Sequence, residues 1–343
     1  MKYTVLPGTT IKVSKICLGT MTWGRQNTEE DGHEQLKYAF DQGVNFVDTA
    51  ELYAVPSTKE TQGKTEEIIG TWFQKNKNRD QCVLASKIAG PAEFTKHIRT
   101  GGYKKEELSD AIEKSLKRLQ TDYIDLYQLH WPERQTNYFG KKGYQHNESE
   151  EWKDNFNQIL LDLQSFIDDG KIRHIGVSNE SAYGLMRYVE ESRNGMSRIV
   201  SVQNPYSLLN RKDEIGITEV LHRENVGYLA YSPLGFGMLS GKYLEGTPKG
   251  SRYELFPNYN RYMNENSFKA THKYLEIAKD AGLSLTDLSL AFVNQQAFVT
   301  STIIGATKME QLTENINSIN VTLSDDTLKA IDKVHEKIPN PAP

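Results

Sequence analysis

Eight short runs rich in β-branched and apolar residues recur along the chain, near 16–20, 44–48, 82–87, 124–130, 172–178, 199–203, 226–232 and 301–305. Helical patterns fall between them, and strand, helix, strand is the order of a parallel sheet, because parallel neighbours need a crossover connection. Eight such strands with no linker favour closure into a barrel over an open doubly wound sheet. The 343 residues contain no repeat, low-complexity tract or boundary, so 1–343 reads as one domain. The expected fold is α/β, a (β/α)8 TIM barrel.

The helices fit this frame. Leu108, Ala111, Ile112, Ser115, Leu116 and Leu119 fall at helical spacing as one inward stripe, with Lys105, Glu106, Glu113, Lys114 and Lys117 outside. Similar patterns span about 29–41, 64–76, 155–169, 182–192, 213–224 and 309–319. Before the first strand, Val5 to Val13 alternates and is interrupted by Pro7-Gly8, which predicts an N-terminal β-hairpin plugging the barrel bottom. Asp325 to His335 predicts an extra C-terminal helix. The connections 131–152 and 233–266 are too long for bare turns. Both follow strands and would overhang the C-terminal face, where long loops carry function.

Composition removes several classes. A formal net charge of -4 disfavours a nucleic-acid binder, whose footprint is a basic face. No apolar run is long enough for a membrane span and Met1 to Gly8 carries no cleavage signal, so the expectation is a cytoplasmic protein with no membrane partner. Cys17 and Cys82 sit in strand-like runs without a CxxC neighbour and read as buried free thiols. The eight histidines show no HxH or HExxH spacing, so no metal is expected. Gly63-Lys64-Thr65 lacks the earlier glycine and the strand of a phosphate-binding loop. Gly235-Phe-Gly237-Met-Leu-Ser-Gly241 has its third glycine one residue late and no βαβ context, so it is not a dinucleotide fingerprint, although it could still touch a phosphate.

Polar residues then cluster at strand ends: Asp48 with Tyr53 just beyond it, Lys87, and His130. Each alone has a plain structural explanation as a turn cap, a core-edge ring or a hydrogen-bonded imidazole. Together they end strands two, three and four of a parallel barrel, which meet at one mouth. Parity agrees, since Phe46 shares a face with Asp48, Val83 and Ala85 with Lys87, and Leu126 and Gln128 with His130. A phenol is a poor proton donor near neutrality, and a neighbouring ammonium stabilises its phenolate. Lys87 could supply that charge, Asp48 could keep the ammonium in place, and His130 could donate a hydrogen bond to a carbonyl oxygen.

With these residues the chain resembles the aldo-keto reductase superfamily over nearly its whole length. The motifs are Leu18-Gly-Thr-Met21, Phe46-Val-Asp-Thr-Ala50 with Tyr53, Gly63-Lys-Thr-Glu66-Glu-Ile-Ile-Gly70, Leu116-Lys-Arg-Leu119-Gln-Thr-Asp-Tyr-Ile-Asp-Leu-Tyr127, Gly176-Val-Ser-Asn179, Gln203-Asn-Pro-Tyr206 and Glu314-Asn315. Glu60-Thr-Gln-Gly63, the extended strand-four loop and Asn204-Pro-Tyr-Ser-Leu-Leu-Asn210 are most similar to the bacterial Tas-type reductases.

The resemblance implies an NADP(H)-dependent oxidoreductase that reduces a small-molecule aldehyde or ketone, with Tyr53 as general acid, Lys87 and Asp48 tuning it and His130 orienting the carbonyl. It implies NADPH bound without a Rossmann fold. Thr20, Met21 and Asp48 would lie beside the cofactor, and Ser178, Asn179 and Gln203 would contact the nicotinamide amide. Tyr231 would stack on the ring. Ser232, Pro233, Leu234, Gly235 and Phe236, with Lys242, would cover the pyrophosphate, and Gly305, Thr307, Gln311, Glu314 and Asn315 would take the adenosine end. Gln311 stands where many relatives carry an arginine for the 2′-phosphate, so Arg252 or Lys308 would supply that charge.

Ser178-Asn179 is also readable as a helix N-cap, and Glu314-Asn315 as plain surface. Trp23, Trp131, Tyr259 and Tyr262 are candidates for an aromatic substrate wall, whose shape would depend on the two long loops and on Pro339 to Pro343. The competing function is an NADPH-binding regulatory subunit with slow turnover, as in the potassium-channel β subunits of the same fold. Substrate, reaction direction and oligomeric state are not encoded in any motif.

Overall fold

The structure is a computed structural model that describes residues 1–343. Strands β1 (Tyr3–Val5) and β2 (Lys12–Ser14) pair antiparallel as the expected hairpin. Eight strands then alternate with helices: β3 (Ile16–Gly19), β4 (Phe46–Asp48), β5 (Val83–Ile88), β6 (Ile124–Leu129), β7 (Ile172–Ser178), β8 (Ile199–Pro205), β9 (Gly227–Tyr231) and β10 (Val299–Ile304). All neighbouring pairs are parallel, and β10 pairs with both β9 and β3, so the sheet closes into a (β/α)8 barrel.

The crossover helices are α1 (Glu29–Asp41), α2 (Lys64–Asn76), α3 (Lys105–Leu119), α4 (Phe156–Asp168), α5 (Ala182–Arg193) and α6 (Ile217–Glu224). The long segment after β9 holds the short α7 (Arg252–Leu255), then α8 (Glu265–Asp280) and α9 (Leu285–Gln295). Helices α10 (Met309–Asn317) and α11 (Asp325–Lys337) follow β10. The buried side of α3 consists of the six residues expected from the sequence. No helix is long and apolar enough to cross a membrane.

Helices α8 and α9 lie in a stretch for which the pattern names no helix, and their burial explains why. The inward face of α8 is Ser267, Ala270, Thr271, Tyr274 and Ala278, small and polar groups that draw no apolar stripe. Helix α9 is buried almost all round, from Leu285 through Val293, so it has no polar face to set a helical period. The loop between β6 and α4 contains no regular element.

The barrel interior is layered. Leu6 and Val13 of the hairpin close the bottom, packed with Cys17, Phe46, Ala85, Leu126, Val200, Leu229 and Ile303, one inward side chain from nearly every strand. Two residues further along the same faces stand Asp48, Lys87 and Gln128, and Gln203 joins them at the end of β8, all buried. A larger apolar shell lies between sheet and helices. Cys17 and Cys82 are both buried and free, with burial pushing both thiols up, Cys82 to about 12.

Helices α2 and α3 approach closely at Gly70, where a Cβ would run into the main-chain oxygen of Arg118. Alanine is favoured over glycine by about 1 kcal/mol in a free helix, but overpacking costs roughly 1–3 kcal/mol, so the clash wins. Gly70→Ala is expected to destabilise the fold, read as a lower urea midpoint with an unchanged m-value.

Candidate active site

The C-terminal mouth of the barrel opens into one cleft of about 950 Å³. At its floor the Lys87 ammonium, fully buried, donates to Asp48 Oδ2 at 2.6 Å and to the Thr49 carbonyl at 2.8 Å. Asp48 Oδ1 accepts from Gln203 Nε2 at 2.8 Å and from Gln128 Nε2 at 3.3 Å. A charge pair this deep needs its remaining lone pairs and protons satisfied, and the two glutamines do that for the carboxylate. Above the pair stands the half-buried Tyr53 ring, with Lys87 Nζ 5.1 Å from its centroid. The His130 ring meets Tyr53 edge-on at 5.9 Å, and His130 Nδ1 is buried without a partner. The structure thus brings Asp48, Tyr53, Lys87 and His130 to one place, as strand-end convergence requires.

The electrostatics give each group a definite state. Burial pushes the Tyr53 phenol up and outweighs the lowering pull of Lys87, which differs from the net lowering that an ammonium alone would produce. The phenol is therefore protonated throughout the neutral range. Burial opposes the Lys87 charge, but Asp48 and Tyr53 outweigh it and hold the ammonium above its ordinary value. Burial, helped by Lys87, keeps the His130 imidazole well below its usual 6.5. His130 is thus neutral near pH 7, with one N–H to donate.

One flank of the cleft is a hydrogen-bonded wall. Tyr231 donates to Asn179 Oδ1 at 2.6 Å, Asn179 Nδ2 donates to the His130 carbonyl at 2.9 Å, and Ser178 Oγ donates to the Gln203 carbonyl at 2.7 Å. Ser178 and Asn179 are not the cap of α5; that role falls to Ser181, which accepts from the Gly184 amide. Asn179 instead turns in the left-handed region at φ 55° to form this wall.

Beyond it, Ser232, Pro233, Leu234 and Phe236 line the cleft together with Thr20, Met21, Gly305, Thr307, Glu314 and Asn315. Gln311 also lines it, accepting from the Thr307 amide at 3.1 Å and so folding the β10–α10 loop. Gly235 does not reach the cleft and is buried against Tyr262 and Leu209. Gly237, at φ 93°, passes so close under Lys242 that a Cβ would stand 2.7 Å from its Cε.

Lys242 and Arg252 line this end, and Lys308 adds its charge to Lys242. Burial, reinforced by Arg252 and Lys308, pulls the Lys242 ammonium down, and burial lowers the Arg252 guanidinium. Arg252 stacks over the Phe236 ring at 4.5 Å. None of the three cations forms a salt bridge, whereas Arg99, Arg118 and Arg134 elsewhere in the protein are paired with carboxylates. Three unneutralised cations beside an open cleft suit a polyanion such as a phosphate-bearing cofactor. No His, Cys, Asp and Glu grouping could hold a metal ion.

On the opposite flank Trp131 forms the wall, with Phe94 at 5.4 Å and Phe139 at 5.6 Å. Tyr259 lines the cleft too, whereas Trp23 and Tyr262 do not; Trp23 is fully buried and donates to Gln35. Phe94, Phe139, Lys142 and Arg261 are not legible in the sequence, because Phe94 stands in a single 3₁₀ turn (Glu93–Thr95) and the others on irregular loops, with no periodicity to expose them. Pro341–Pro343 reach the cleft as part of the anticipated tail, tied down where Arg261 Nε donates to the Pro343 carbonyl at 2.9 Å.

Comparison with known proteins bears on this geometry. The profile of the Aldo/keto reductase family matches residues 15–336. The chain is 48% identical to Protein tas of Escherichia coli (strain K12), covering 100% of both chains. It is 30% identical to the oxidoreductase YrpG of Bacillus subtilis (strain 168), over 97% of this chain and 96% of that one. It is 28% identical to L-glyceraldehyde 3-phosphate reductase of Escherichia coli (strain K12), over 97% and 92%. A closed parallel barrel, a polar cluster at its C-terminal mouth and a match spanning that whole framework have one common explanation: the chain belongs to the aldo/keto reductase family.

Proposed function

We propose that this member of the family reduces aldehydes or ketones to alcohols with NADPH, and that Tyr53 donates the proton. The observation that carries the reading is a protonated phenol facing the cleft, directly over a buried Lys87–Asp48 pair and beside an uncharged imidazole. A relative named as a reductase of an aldehyde over 97% of the chain supports the same reaction class.

When bound, NADPH supplies the hydride that reaches the carbonyl carbon. Tyr53 transfers its phenolic proton to the carbonyl oxygen as negative charge grows there. Lys87 stabilises the phenolate left behind, and Asp48 holds the ammonium charged and in place. His130, being neutral, donates a hydrogen bond to the same oxygen without competing for the proton. Ser178, Asn179 and Gln203 would hold the nicotinamide amide, and Tyr231 would stack on its ring. Trp131 closes the far side and limits water.

The three unpaired cations Lys242, Arg252 and Lys308 favour NADPH over NADH, since a 2′-phosphate would neutralise charge that the protein leaves open. Arg252→Gln is expected to weaken NADPH binding by at least about tenfold and NADH binding much less. Equal losses for the two cofactors in fluorescence titrations would remove Arg252 from that role.

The decisive experiment is single-turnover oxidation of bound NADPH by a small reactive aldehyde, comparing the wild type with Tyr53→Phe. Oxidation is expected to slow by at least about a hundredfold in the variant, with NADPH affinity unchanged. Unchanged oxidation would reject Tyr53 as the acid. Tight binding without oxidation in either protein would point to an NADPH-binding subunit instead.

The pH profile follows from the protonation states. Tyr53 loses its proton only as pH rises past its elevated value, so the reductive rate stays level through neutrality and falls on the alkaline side. His130 gains a proton only well below 6.5, so no acid limb is expected at its ordinary value. A limb near 6.5 that disappears in His130→Gln would contradict the neutral-donor role.

A further inference from the structure

Two residues before Tyr53, Glu51 is buried at 1% exposure, yet it does not line the cleft and its carboxylate bonds neither the Lys87 ammonium nor the Asp48 carboxylate. Its carboxylate grips Arg99 in a two-point fork, Arg99 Nη2 to Oε2 at 2.5 Å and Nε to Oε1 at 3.0 Å. Arg99 is itself anchored on the first turn of α3, donating to the carbonyl of Glu107 at 2.9 Å and to its Oε2 at 3.1 Å. The other side of Glu51 holds β5. Oε1 accepts from the Ala89 amide at 2.6 Å, and the Glu51 amide donates to the Lys87 carbonyl at 3.1 Å. Gln62 Nε2 donates to the Glu51 carbonyl at 2.9 Å, and the Gly63 amide donates to the Tyr53 carbonyl at 2.7 Å.

The hydrogen bonds of Glu51 therefore join the segment that carries Tyr53 to the strand that carries Lys87, to the start of α3 and to the turn before α2. Stability alone does not account for the pair. Removing two charges from water costs several kcal/mol each, and well-packed apolar side chains in their place are often as stable. What a bidentate fork adds is a fixed distance and angle. From this we infer that Glu51 and Arg99 are a positioning pair that sets the Tyr53 phenol over the Lys87 ammonium. The inference rests on the proposed role of Tyr53 as acid. If the pair is loosened, the phenol drifts from the ammonium, its phenolate loses support, and it becomes a weaker acid without any change in the cofactor or substrate walls.

The test uses the full chain with NADPH and a small aldehyde, comparing the wild type with Glu51→Gln, Arg99→Gln and the double variant. The expected result is a fall of about tenfold in kcat for each single variant and no further fall in the double, as for residues acting as a unit. KM and the NADPH dissociation constant should stay within about twofold, and the alkaline limb of kcat should move to higher pH as the ammonium's pull on Tyr53 is lost. A folded Glu51→Gln with wild-type kcat and an unmoved limb would overturn the inference. So would losses spread equally over kcat, KM and cofactor affinity, the signature of a merely structural pair. If the charge-removing variants do not fold, Gln62→Ala frees the Glu51 carbonyl without unpairing a buried charge. It should lower kcat about threefold with an unchanged melting temperature, and wild-type kcat there would equally overturn the inference. Tyr53→Phe run in parallel separates the two levels: full activity in that variant rejects Tyr53 as acid, whereas an inactive Tyr53→Phe beside a normal Glu51→Gln rejects only the positioning pair.

Discussion

The Asp48 carboxylate and the Lys87 ammonium form an ion pair buried inside the barrel, and the mouth of the molecule is arranged around that fact. An unpaired charge at this depth would cost more than a typical domain can spare. The two must meet, and each must find partners for its remaining valences. Gln203 and Gln128 supply these for Asp48, and the Thr49 carbonyl supplies one for Lys87. These contacts tie together the ends of β4, β5, β6 and β8. The polar layer is thus both a structural seam and the floor of the cleft.

Closure of the sheet makes the seam possible. Inward side chains of the closed strands interdigitate inside the barrel, so Cys17, Phe46, Ala85, Leu126 and Leu229 pack as one apolar cluster, with the polar groups nearer the mouth. Below, Leu6 and Val13 of the hairpin keep water out. Above, loops of unequal length build two unlike flanks, one aromatic around Trp131 and one cationic around Lys242 and Arg252. The asymmetry matches a ligand with a polyanionic part and a partner with an apolar one.

Much of this was legible in the residues. Period-two and period-3.6 patterns marked all eight strands and most helices, and strand parity alone placed Asp48, Lys87 and His130 on inward faces. Where reading failed, a physical reason stands behind it. Helix α9 lacks a polar face, and α8 buries serine, threonine and alanine, so neither draws an amphipathic stripe. Ser178-Asn179 has the composition of a helix cap, but Asn179 is drawn into the wall with Tyr231 and His130, and Ser181 caps α5. Phe94, Phe139 and Arg261 gave no signal, since an isolated side chain in a single 3₁₀ turn or on an irregular loop has no pattern to stand out from. The Glu51–Arg99 fork spans 48 positions between two loops and was equally invisible.

The sequence by itself determined the class of fold and which residues could carry chemistry, because periodicity and strand-end polarity are local properties that survive without coordinates. Only the tertiary structure decided the states of those residues. Burial outweighs Lys87 in setting the Tyr53 phenol, keeps His130 neutral and lowers the charges of Lys242 and Arg252, which line the cleft without a salt bridge. Those states depend on what surrounds each group in three dimensions. Desolvation and Coulomb terms sum over neighbours that the barrel gathers from distant parts of the chain, and no window along the sequence contains them.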